Sequence, residues 1–216
     1  MRKFELYEFL GYISPGILFL VSLGYIWPTK ISDLVSKDVT IGGVAIGLIF
    51  AYAAGQLLQA IGNLIENIVW KCSGGIPTDW LRTKKHNLID SKQLQKVEGC
   101  VKKMLPDDTF KFDESTDEKG WYSITRQIYT FVADRGKTKR IDTFNANYGL
   151  CRGLAAALLV LLFINLVCNF KGWQIHIILS VLCGLAIYRF YRFGVVYARE
   201  LFVQFLQSYE SKGLEL

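Results

Sequence analysis

Residues 41–70, IGGVAIGLIFAYAAGQLLQAIGNLIENIVW, carry no charge before Glu66. A helix rising ~1.5 Å per residue crosses a ~30 Å hydrocarbon layer in ~20 residues, so this stretch is long enough to span a bilayer and continue beyond it. In hydrocarbon a single segment must satisfy its own backbone, which leaves it one conformation, the helix. At ~100° per residue, Gln56, Gln59, Asn63 and Glu66 fall within an arc of ~80°, with Asn67 at its edge. Leu57, Leu58, Ile61, Leu64, Ile65 and Ile68 gather on the opposite side. One face suits lipid and the other forms a polar seam.

Apolar residues make up 51% of the 216-residue chain and concentrate in four blocks, 10–27, 41–69, 150–168 and 175–193. Each is close to the length that spans a bilayer. The expected fold class is therefore all-α: a polytopic membrane protein with four transmembrane helices and a small helical cytoplasmic segment. The implied domains are an N-terminal transmembrane hairpin (1–70), a cytoplasmic helical segment (71–148) and a C-terminal transmembrane hairpin with a cytoplasmic helical extension (149–216). Block one reads as retained, because Glu5 and Glu8 sit where a signal peptide needs a basic leader and no small-residue cleavage site follows. Of 25 lysines and arginines, only Lys30, Lys37 and Lys171 fall in the two short loops on one side. The positive-inside bias then puts both termini and the middle segment in the cytoplasm. The net charge of +6 follows largely from that bias, which disfavours a nucleic-acid partner. Five cysteines without paired spacing imply neither a disulfide framework nor a metal site.

Pro15, between Ser14 and Gly16, interrupts the first block. The carbonyl it frees needs a donor from Ser14 or a neighbouring helix. Gly55 and Gly62, seven apart beside the seam, allow another helix to approach closely. The middle segment, about 78 residues, is marginal for a core of its own and is expected to dock on helix ends or other subunits. Within it, 91–104 behind an Asp90 or Ser91 cap and 121–134 read as helices, the second ending near Gly136. The third membrane helix is expected to begin in the cytoplasm, ahead of its apolar block at Leu150. Leu201, Phe202, Phe205, Leu206 and Tyr209 form an apolar set on a helix leaving the membrane, suited to pack on the middle segment or on a second copy.

Arg189, Arg192 and Arg199 repeat the offsets of Gln56, Gln59 and Glu66, and helices starting level at Ile41 and Gln174 place the two rows at matching depths. An arginine near the centre of a span costs about 2.5–3.5 kcal/mol on insertion scales and needs a counterpart. Three arrangements supply one: headgroups or structural bonds to the seam, a hydrated cavity or oligomer axis, or a pocket for an anionic ligand or lipid headgroup. The basic run Arg135, Lys137, Lys139 and Arg140 suits an anionic leaflet or a partner. Enzyme signatures are lacking: there is no zinc-protease helix motif, phosphate-binding glycine loop or nucleophile elbow, and Arg82 with His86 has too short a spacing for a ribonuclease pair. The sequence calls for no cofactor and no catalytic residue.

The Ser14-Pro15-Gly16 interruption, AYAAGQLLQAIGNLIE at 51–66 and YRFYRFGVVYARELF at 188–202 together resemble small bacterial multi-pass membrane proteins of antiviral loci, including CRISPR accessory proteins. The resemblance implies an inner-membrane protein that disturbs the envelope when a cytoplasmic sensor is activated. The expected function is thus a non-enzymatic effector or accessory protein that self-assembles in lipid and gates or permeabilises the membrane on a signal from a cytoplasmic partner. The alternative is a membrane-anchored adaptor binding protein, anionic lipid or nucleic acid through its basic surface.

Overall fold

The computed structural model describes residues 9–26, 41–84, 87–105, 116–168 and 172–211. The regular elements among these residues are all helices, with no strand. A π-helical turn, Phe9–Ile13, leads into α1, Ser14–Ile26. There follow α2 (Ile41–Cys72), a 3-10 turn (Pro77–Asp79), the short α3 (Trp80–Thr83), α4 (Ser91–Met104), α5 (Glu118–Ala133), α6 (Lys139–Val167) and α7 (Trp173–Glu210). The chain divides into two compact units, Met1–Val69 with Ala146–Tyr191, and Trp70–Asn145 with Arg192–Leu216.

Among the described residues three helices are long and apolar enough to cross a membrane, those of the second, third and fourth blocks, and the first block yields a shorter apolar helix. Three of the four expected spans are thus met at membrane length within the described residues. In the first unit the core is made of small contacts. Leu58, Ile65, Ala156 and Ala157 form its buried centre, with Phe19, Ile61, Val160 and Ile187 packed around them. A Cβ on Gly16 would fall on the Ala51 carbonyl, and one on Gly55 would fall on the Tyr12 carbonyl. These two glycines let α1 and α2 meet backbone to backbone, which strengthens dispersion contacts where lipid supplies no hydrophobic drive.

The second unit is built around aromatic residues. Trp121 stacks on Phe202 at 6.4 Å, and Phe131 meets Phe205 at 5.4 Å and Tyr209 at 5.8 Å. The apolar set at the end of α7 therefore packs on the chain's own middle segment, where Val97, Val101, Ile128, Val132 and Ile141 are fully buried with it. Local signals fix the helix ends. Asp90 accepts from the Lys92 N–H at 3.1 Å while its own N–H donates to Gln93 Oε1 at 3.3 Å, a capping box that starts α4. Asp117 caps α5 through the Gly120 N–H at 2.9 Å. Gly136, with φ of 67°, lets the chain leave α5 in the left-handed region.

Candidate polar site in the apolar unit

The site starts from Pro15. Proline has no N–H to offer the carbonyl four residues earlier, that of Gly11, and the π-helical turn ahead of it accommodates the ring. Gln59 supplies the missing donor: its Nε2 donates to the Gly11 carbonyl at 2.6 Å and to the Gly149 carbonyl at 2.9 Å. Both amide hydrogens are thereby used, and two acceptors on one side set the orientation of the amide. Its Oε1 accepts from Arg152 Nε at 3.0 Å. Gln59 is 6% exposed, so a fully bonded amide stands where an unbonded one would be costly.

Arg152 connects this amide to a charge. Its Nη1 donates to Glu66 Oε2, the other carboxylate oxygen accepts from the Tyr148 hydroxyl at 2.6 Å, and the guanidinium carbon lies 5.7 Å from the centre of the Tyr148 ring. The Arg152 and Glu66 side chains are 17% and 23% exposed. A pair this shielded repays its desolvation only when its remaining donors and acceptors are bonded, and here Gln59 and Tyr148 contribute to that. Glycines give the network room. A Cβ on Gly62 would meet Arg152 Cγ at 3.0 Å, and one on Gly153 would meet Gln59 Nε2 at 2.7 Å and Pro15 Cγ at 2.8 Å.

The seam on α2 is thus two rows. Gln59 and Glu66 turn into the unit, whereas Gln56 and Asn63 are exposed, Gln56 donating to the Tyr52 hydroxyl at 3.0 Å. Arg152 of α6, rather than an arginine of α7, is the cation bonded to Gln59 and Glu66. Arg189 lies beside the Cys151 thiol. Arg192 is exposed, and Arg199 donates to the Leu88 carbonyl at 3.0 Å within the second unit. Of the basic run, Arg135 donates to the Phe131 carbonyl at 2.7 Å with its guanidinium over the Phe131 ring, and Arg140 pairs with Glu200 at 3.3 Å. Lys137 and Lys139 are exposed. Arg82 binds the Thr116 carbonyl at 2.7 Å, and His86 lies outside the described residues. Among the described residues no cluster of His, Cys, Asp and Glu is suited to hold a metal.

Sequence reading missed Arg152 because it stands just inside the third apolar block and resembles a flanking charge. The available signal was Tyr148 and Arg152 four residues apart, on one face of a helix that runs opposite to α2.

Long apolar helices joined by an internal ion pair are features compatible with a helical membrane protein. Comparison with protein-family models, curated proteins and solved structures returns no match to this chain.

Proposed function

We propose that this chain is a non-enzymatic effector of the bacterial inner membrane, with four spans and both termini cytoplasmic. It self-assembles and changes the permeability of the membrane when a cytoplasmic partner or signal acts on it. The observation that carries this reading is the Arg152–Glu66 pair, shielded within an apolar unit and bonded to Gln59 and Tyr148. A shielded ion pair is costly to desolvate, and apolar side chains of similar volume would hold the helices at least as well, so its presence argues for a task other than packing. On this reading the pair holds the protein closed. Displacing α6 from α2 breaks the pair and exposes a carboxylate, a guanidinium and a glutamine amide to one another's vacated space, which admits water. The helices α2, α6 and α7 are shared by both units, which offers a covalent route for a signal. The antiviral setting follows from the sequence resemblance.

Dye or ion flux from liposomes holding the purified protein tests the proposal. Expected is low basal flux that rises with Glu66→Ala, which removes the latch, and stays at the wild-type level with Leu64→Ala on the exposed side of the same helix. Flux that is absent for every variant and every added cytoplasmic fraction would remove the permeability reading.

The exposed Lys137 and Lys139 favour the second reading, an adaptor that meets anionic lipid or an acidic partner. In that case replacing both by glutamine weakens vesicle or partner binding and leaves flux unaffected.

A further inference from the structure

The described face of α2 outside the polar network divides in two. Leu57, Leu64 and Ile68, at 71%, 63% and 64% exposure, form an apolar strip suited to lipid. About 100° around the helix runs a second exposed strip, Ala45, Tyr52, Gln56, Ala60, Asn63 and Asn67, that carries amides and small residues but no charge. Gln56 lies ~22 Å along the helix from Ile41, inside a ~30 Å hydrocarbon layer, and Asn63 lies near its far edge. Lipid chains offer an amide nothing. The only bond that the described residues give Gln56 is to Tyr52 on its own helix.

We propose that this strip is the contact between two copies of the chain, related by a two-fold axis along the membrane normal. It rests on the self-assembly in the reading above and names its surface. Two copies inserted the same way round can be related by such an axis, and a residue near it then meets its own counterpart. A charge there would repel itself, whereas an amide carries both donors and an acceptor and pairs with an identical amide. Gln56 and Asn63 are seven residues apart, the repeat at which two helices crossing at a shallow left-handed angle return to the same contact. Ala45 and Ala60 beside them permit the approach that small residues give helices in lipid.

The test is energy transfer between donor-labelled and acceptor-labelled full chains during dilution with lipid. Wild type is expected to associate, the double variant Gln56→Leu, Asn63→Leu to raise the apparent dissociation constant at least about tenfold, and Leu57→Ala with Leu64→Ala to leave it unchanged. Circular dichroism and thermal melting establish that each variant is folded. As a second measurement, with Cys72 and Cys168 replaced by serine, oxidation should cross-link Asn63→Cys to its own copy and leave Leu64→Cys monomeric. A monomeric wild type, equal loss in both double variants, or cross-linking at Leu64 in preference to Asn63 overturns the proposal. Association without flux would sink the permeability reading and leave this interface standing.

Discussion

At the residue scale, the energetic centre of the first unit is the Gln59 amide and the ion pair beside it. Glu66→Ala leaves Arg152 without its counter-charge and is expected to cost about 3 kcal/mol of stability, read by denaturant titration in bicelles. Replacing Glu66 and Arg152 together by leucine should restore more than half of that loss, because no charge is then stranded. If the double variant is as unstable as the single one, the pair is not coupled as its geometry implies. In the second unit, burial pushes the Cys100 thiol up, and the nearby Glu210 carboxylate adds to this while Lys103 and Lys96 oppose it. A thiol harder to ionise in the folded state than in the unfolded one binds more protons when folded. Its contribution is therefore full below the ordinary thiol value and is lost as pH climbs from there through the raised one. Cys100 should accordingly resist alkylation in the native protein at mildly alkaline pH while the exposed Cys72 and Cys168 react, which mass spectrometry of the labelled peptides reports.

Among the elements, close approach of backbones decides what is tolerated. Gly16→Ala and Gly55→Ala each drive a methyl into a carbonyl of the facing helix, so each should cost about 1–3 kcal/mol. Gly184→Ala meets nothing within 4 Å and should be neutral or slightly stabilising in the same melting experiment. Much at this scale was legible in the chain. Periodicity and the Asp90 cap located α4, and the Trp121, Ile124, Ile128 pattern located α5, because a stripe that will be buried is written in the sequence whatever buries it. The expectation that Gly55 and Gly62 admit a neighbour named the right residues, and geometry supplied the neighbours, Tyr12 and Arg152. Which cation would face the seam was not legible. Matching depths are available to Arg189 and Arg192 as well, and depth alone does not fix the rotation of a helix about its axis.

For the whole molecule, the second unit is discontinuous in sequence, and its core depends on both pieces. Trp121 and Phe131 find their aromatic neighbours on α7, at Phe202, Phe205 and Tyr209. A polypeptide of residues 70–145 alone should therefore show no cooperative thermal transition, and adding residues 192–211 through a linker should produce one. Cooperative melting of the shorter piece would mean that α7 merely rests on a finished core. Composition indicated this dependence, because so short a segment has little apolar surface to bury against itself. The apolar set from Leu201 to Tyr209 named the docking helix, and three dimensions decided that it packs on its own chain's segment.

The carbonyl freed at Gly11 makes Pro15 and Gln59 one evolutionary unit. Losing Gln59 alone strands that carbonyl. Once residue 15 is alanine, the backbone N–H returns and the same loss costs less. The effect of a substitution at either position thus depends on which came first. After the proline is lost, losing the glutamine still forfeits its bonds to Gly149 and Arg152 but no longer strands the Gly11 carbonyl, whereas the reverse order passes through a more weakened protein.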